Sequence, residues 1–171
     1  MDLRAFIRDI PDFPTPGVTF KDISPLLHDA RALESSISGL AELAAPLRVD
    51  YVIGAEARGF ILGAALSREL GAGFVPARRP GKLPSETVSA DYALEYGLGT
   101  LEIHADAFAG HARVLVHDDV LATGGTAAAL CELVEQLGGE IVGCAFLIEL
   151  SFLEGRQRLQ PRQVLSLIEF D

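Results

Sequence analysis

Long apolar runs, a basic excess and a cysteine framework are all missing from this 171-residue sequence. No stretch approaches the roughly 18 uninterrupted apolar residues of a membrane-spanning helix, so none is expected. The first residues, MDLRAFIRDIPDF, alternate charge with hydrophobe and lack the apolar block of a secretory signal. The expected location is therefore cytoplasmic. Lys and Arg number 14 against 24 Asp and Glu, a formal net charge of −10. That balance argues against general binding to nucleic acid or anionic membrane, both of which need basic surface. The two cysteines, Cys131 and Cys144, have no metal-ligand spacing and lie among apolar neighbours. Buried free thiols are expected rather than a disulfide. His28, His104 and His111 show no mutual spacing that suggests a metal site or a catalytic triad.

What remains has the size of one domain with a core of its own, and 49% of it is hydrophobic. Two segments share a grammar. In VDYVIGAEARGFILGAALSRELGAGFVPARR, Tyr51 to Gly54 reads as a strand and Gly59 to Leu70 has helical spacing. Gly71 stops that helix, and Gly73 to Ala77 resumes as strand. In the second segment Val114 to His117 reads as strand, Thr126 to Leu137 as helix capped by Gly138-Gly139, and Ile141 to Ile148 as strand. Uniformly apolar strands alternating with helices indicate an α/β fold with a mainly parallel sheet covered on both faces. Ligands of such sheets sit at the carboxyl ends of the strands, where the polar turns 54–59 and 118–126 both fall. Residues 78–97 are polar, with only weak alternation, and read as a long functional or flexible loop. The proline-rich opening, IPDFPTPGVTFKDISPLL, is expected to be irregular, neither helix nor central strand.

The stretch VLVHDDVLATGGTAAAL carries the chemistry. No Walker loop is present, because Phe60 stands where the lysine is required, and no Gly-x-Gly-x-x-Gly follows a strand. The turn at Ala122, Thr123, Gly124, Gly125 and Thr126 can nonetheless hold a phosphate. Successive backbone N–H groups at a helix start form an anion nest, and two threonine hydroxyls add donors. Asp118 and Asp119 cannot meet that phosphate favourably; carboxylates accept, so they call for hydroxyl donors or a cation. A phosphate at one end with vicinal hydroxyls a few ångströms away describes a ribose 5-phosphate.

Asp-Asp followed by Thr-Gly-Gly-Thr resembles the phosphoribosyl-pyrophosphate motif of the type I phosphoribosyltransferases. DFPTPGVTFKDISPLL, GAEARGFILGAAL, RRPGKLPSE and YALEYG are similar to the adenine branch of that family across nearly the whole chain. The resemblance implies the family's fold in one domain, 1–171, with an N-terminal hood over 1–28 and a mobile catalytic loop over 78–97. It implies transfer of ribose 5-phosphate from 5-phosphoribosyl 1-pyrophosphate to adenine, giving AMP and pyrophosphate in purine salvage. Transfer to another purine, or a non-catalytic sensor of the sugar substrate, are the alternatives.

Residue by residue, the resemblance places the 5-phosphate on Ala122–Thr126 and the ribose hydroxyls on Asp118 and Asp119. Ala57 and Arg58 match the pyrophosphate turn, with a non-proline cis peptide joining Glu56 to Ala57; Arg78, Arg79 and Lys82 add positive charge there. Glu95 and Tyr96 match an acid–aromatic pair of the catalytic loop, Glu95 approaching the reacting carbon and the purine as an electrostatic stabiliser or a proton acceptor. Phe20 matches a residue that stacks on adenine, Leu150 one that packs on its other face, and Thr19 and Lys21 positions whose main chain reads the base edge. Lys21 departs from the arginine common there, which a backbone contact tolerates. His117 departs from the usual aliphatic residue; a packed histidine is expected, close enough to the aspartates to place a titrating charge beside them. Magnesium is implied, held mainly through pyrophosphate and ribose oxygens with no all-protein metal site, and so is a homodimer.

Overall fold

The structure, a computed structural model, describes residues 1–94 and 97–171. Its centre is a five-stranded, all-parallel sheet with strand order β4-β3-β7-β8-β9. The strands are β3 (Tyr51–Ala55), β4 (Gly73–Ala77), β7 (Arg113–Leu121), β8 (Glu140–Leu150) and β9 (Val164–Phe170). Helix α3 (Arg58–Leu70) joins β3 to β4 and α4 (Gly125–Gln136) joins β7 to β8, and Gly71 ends α3 in the left-handed conformation at φ +68°. Alternation divides the core. Ile53, Val114, Val116 and Phe146 pack with Leu130, Cys131 and Val134 of α4 on one face. Val52, Leu115 and Ala145 pack with Leu40, Ala41 and Ala44 of α2 (Ala30–Ala44) and Leu66 of α3 on the other. Strands buried on both faces are why the sequence shows apolar runs rather than alternation. Cys131 and Cys144 are buried free thiols, their sulfurs 3.9 Å apart.

Two expectations give way. Residues 78–97 are not loop throughout: β5 (Thr87–Leu94) pairs antiparallel with β6 (Gly97–His104) as a hairpin. Its weak pattern is genuine period-two alternation, with Val88, Ala90 and Tyr92 turned toward the core beside α4 and Ser89 and Asp91 toward solvent. The small Ala90 and polar Ser89 dilute the hydrophobic signal. Nor is the opening wholly irregular. β1 (Arg8–Ile10) pairs with β2 (Phe20–Asp22) in a separate two-stranded sheet, and Ser24–His28 forms a short helix, α1. Pro25 lies in the first turn of α1, where no intrahelical N–H bond is lost.

Candidate active site

β7 does not stop at His117. It runs through Asp118 and Asp119 to Leu121 because β8 continues beside it, pairing Asp118 with Phe146 and Leu121 with Glu149. The two carboxylates therefore sit on rigid strand at the carboxyl end of the sheet, facing the start of α3. Asp119 is buried, and Arg58 Nε lies 3.0 Å from its Oδ2, without the alignment of a hydrogen bond. Asp118 accepts from the Asp119 N–H at 2.9 Å. Burial, together with the neighbouring Asp119 carboxylate, pushes the Asp118 carboxyl well above the usual carboxylate range, and the Arg58 charge opposes this. Two acidic side chains are thus held together with too little positive charge between them, a setting that favours donors or a cation from a ligand.

His117 lies beneath them and is fully buried. Its Nδ1 is 2.9 Å from the Ala145 carbonyl, which can only accept, so Nδ1 is assigned the hydrogen; Nε2 has no partner among the described residues. Burial lowers its pKa to about 4, so it is a neutral packing residue near pH 7 and puts no charge beside the aspartates.

Three adjoining cavities open at this end of the sheet. The first, of about 630 Å3, is lined by Ala122, Thr123, Gly124, Gly125 and Thr126, with Asp118, Tyr92 and Arg158. Gly124 caps α4 at φ +83°, and a Cβ there would stand 2.6 Å from the Gly155 carbonyl oxygen, so the turn requires glycine on both counts. The second, of about 420 Å3, collects Ala57, Arg58, Arg79, Asp118, Asp119 and Thr126. The Glu56–Ala57 peptide joining β3 to α3 is cis. Glu56 accepts from the Arg79 N–H at 2.7 Å, and the Arg78 and Arg79 side chains each approach it to 3.4 Å. The Arg79 N–H bond lowers the Glu56 carboxyl below its ordinary range against the effect of burial, and the two arginine charges add to that lowering. Arg78 and the exposed Lys82 are not among the residues lining this cavity.

The third cavity, of about 290 Å3, brings together Thr19, Phe20, Lys21 and Leu150 from the two ends of the chain, with Arg58, Asp118, Asp119 and Thr126. The Arg58 guanidinium sits 4.7 Å from the Phe20 ring centroid, and Phe13 meets that ring edge-on at 5.2 Å. The Lys21 ammonium is committed elsewhere, 2.7 Å from Asp9 and 4.0 Å from the Phe170 ring centroid. Only its main chain is left to face a ligand. Asp118 and Thr126 line all three cavities, which makes them one continuous site. Glu95 and Tyr96 lie outside the described residues. Sequence reasoning missed Val18, Tyr92, Val120, Leu153 and Arg158. Alternation in TVSADYAL was a usable signal for Tyr92; the others are neighbours in space only.

A family of known sequences has this pattern. The phosphoribosyl transferase domain matches residues 19–168. The chain is 55% identical over 170 residues to an adenine phosphoribosyltransferase of Thermotoga sp. (strain RQ2), covering 99% of this chain and 100% of that one. The structure is similar to the adenine phosphoribosyltransferase of Thermoanaerobacter pseudethanolicus, with a TM-score of 0.96 at 51% identity over 99% of this chain and 98% of that one. It is also similar to the Saccharomyces cerevisiae enzyme complexed with an imino-altritol bisphosphate and adenine. There the TM-score is 0.91 at 39% identity, over 97% of this chain and 96% of that one.

Proposed function

The chain belongs to the phosphoribosyltransferase family, in its adenine branch, and forms AMP from adenine and 5-phosphoribosyl 1-pyrophosphate; from that premise we propose how its residues divide the work. The observation that carries the proposal is the sharing of Asp118 and Thr126 by all three cavities. One extended ligand can then reach from the glycine turn to Phe20.

The N–H groups of Ala122–Thr126 and the hydroxyls of Thr123 and Thr126 hold the 5-phosphate at the start of α4. Asp118 and Asp119 accept from the ribose hydroxyls. Arg58 and Arg79, with the Ala57 turn, take the pyrophosphate, and its approach competes with Glu56 for the Arg78 and Arg79 guanidiniums. Lys82 joins them when its segment moves toward the cavity. Phe20 stacks on the purine, Leu150 packs on the opposite face, and the main chain of Thr19 and Lys21 reads the base edge.

The bond from the ribose carbon to pyrophosphate breaks with its electron pair leaving on the pyrophosphate oxygen, adenine donates the pair that replaces it, and the proton on the attacking ring nitrogen passes to the departing pyrophosphate or to solvent. Charge neutralisation by Arg58 and Arg79 favours departure of pyrophosphate, and Glu95 stabilises the positive ribose carbon, with Tyr96 beside it. No group of three or more His, Cys, Asp or Glu suited to a metal occurs among the described residues. The paired carboxylates of Asp118 and Asp119, one with an oxygen free of hydrogen bonds, fit a magnesium ion that keeps water and substrate oxygens as its other ligands. When bound, magnesium supplies additional charge neutralisation for the pyrophosphate. Among the described residues no helix is long and apolar enough to cross a membrane. Residues 1–28 acting as a hood, a mobile segment carrying Lys82, a cytoplasmic homodimer and the lack of a nucleic-acid partner complete the proposal.

The test supplies adenine, hypoxanthine, guanine and xanthine in turn with magnesium and 5-phosphoribosyl 1-pyrophosphate. Turnover confined to adenine is expected. Preferred turnover of a 6-oxopurine would overturn the assignment of Thr19, Phe20, Lys21 and Leu150 to adenine while leaving the ribose-phosphate half in place.

A further inference from the structure

Three arginines stand on or near the short helix α5 (Gly155–Leu159), and two are neutralised. Arg156 grips the buried Glu149 through two bonds of 2.9 and 2.5 Å and donates to the Val164 carbonyl at 3.0 Å. Ser166 donates to the same carboxylate. Arg162 pairs with Glu135 at 2.5 Å. Arg158 makes no hydrogen bond or ion pair among the described residues, and it lines the cavity of the glycine turn. A Cβ built on Gly125 would stand 3.3 Å from Arg158 Nη1, and one on Gly124 would stand 3.3 Å from Arg158 Cβ. The guanidinium therefore lies across the first turn of α4.

Electrostatics alone would not put it there. The start of α4 already carries positive partial charge from N–H groups without intrahelical partners, and the guanidinium adds a full charge beside it. Packing holds it in place. The Arg156–Glu149 clamp ties α5 to β8, and the Gly155 main chain presses so closely on Ala122 and Gly124 that side chains at 124 and 155 are excluded. An anion arriving between Arg158 and the turn relieves this repulsion, and a phosphate monoester brings about −1.5 to −2 charges.

We infer that Arg158 is the side-chain counter-ion of the 5-phosphate, so that it selects 5-phosphorylated ribosyl ligands over their unphosphorylated counterparts. The inference rests on the reading of 122–126 as the phosphate cradle. It is distinct from the pyrophosphate arginines, which approach from the start of α3 and the segment after β4.

Calorimetric titration of the full chain with AMP and with adenosine tests it. Arg158→Gln is expected to weaken AMP about 10- to 100-fold, the range for a hydrogen bond to a charged group, and to leave adenosine affinity unchanged. Arg158→Lys should recover most of the AMP affinity, since a lysine still offers a point charge to phosphate. Equal loss of AMP and adenosine, or no loss of AMP, would overturn the role of Arg158. Thr126→Val separates the two levels. If it weakens AMP selectively and Arg158→Gln does not, the cradle stands and Arg158 has no part in it. If neither variant distinguishes AMP from adenosine, the cradle reading fails and the inference goes with it.

Discussion

The two halves of the site are built differently. The half proposed to hold the sugar phosphate stands on strand ends of one parallel sheet, with Asp118 and Asp119 on β7 itself and Arg58 and the 122–126 turn within a few residues of a strand end. The half proposed to hold the base is assembled from the far ends of the chain: the small β1–β2 sheet and the residue before it supply Thr19, Phe20 and Lys21, and the end of β8 supplies Leu150. The first half is polar, with unbalanced charge, and sits on the most buried part of the molecule. The second is mostly apolar side chain and main chain on a peripheral sheet. Such a division lets the base pocket vary without disturbing the ribose-phosphate chemistry. Arg58 belongs to both, touching Asp119 at 3.0 Å and the Phe20 ring at 4.7 Å.

The largest expected effect comes from breaking that seam. Arg58→Met removes the proposed pyrophosphate donor and the cation over Phe20 while keeping an unbranched side chain. Loss of one oriented donor lowers kcat by on the order of 10²–10³-fold in comparable electrostatic sites. Steady-state kinetics should also show raised KM values for both substrates; a rise for one alone would remove Arg58 from the seam.

A smaller effect probes the floor under both halves. His117 is held neutral, its pKa lowered from 6.5 to about 4 by burial. The unfolded chain takes up this proton near pH 6.5 and the native state resists until about 4. Its contribution is therefore complete above pH 6.5 and disappears as pH falls toward 4, about 3 kcal/mol in all. Asp118, its carboxyl raised in the native state, acts in the opposite sense, but it is present in both proteins of a matched pair. Denaturant unfolding of His117→Val beside the unaltered protein should show a shallower loss of stability between pH 6.5 and 4 in the variant. Parallel pH profiles would contradict a buried neutral histidine.

The same division governs what the sequence discloses. The βα units carrying the sugar-phosphate half were legible, because apolar strands, helical spacing and glycine stops are local signals. All five residues of the 122–126 turn line one cavity. Even there, β7 extends four residues past the expected end, since its pairing with β8 is not written in its own sequence. The proposed base half was suggested only by resemblance. Proline and short strands mask β1, β2 and α1, and Val18, Val120 and Leu153 reach the cavity through tertiary packing. Arg158 escaped notice because nothing in SFLEGRQRL separates it from Arg156; only the buried Glu149 claims one and leaves the other facing the turn.

The separateness of the halves is tested most directly by measuring KM for both substrates in Phe20→Ala and Asp119→Asn. Base–aromatic stacking contributes about 1–3 kcal/mol, so Phe20→Ala should raise KM for adenine by on the order of ten-fold or more and leave that for 5-phosphoribosyl 1-pyrophosphate unchanged. Asp119→Asn should do the reverse. If each variant raises both KM values together, the site is one cooperative unit and the two-part account is wrong.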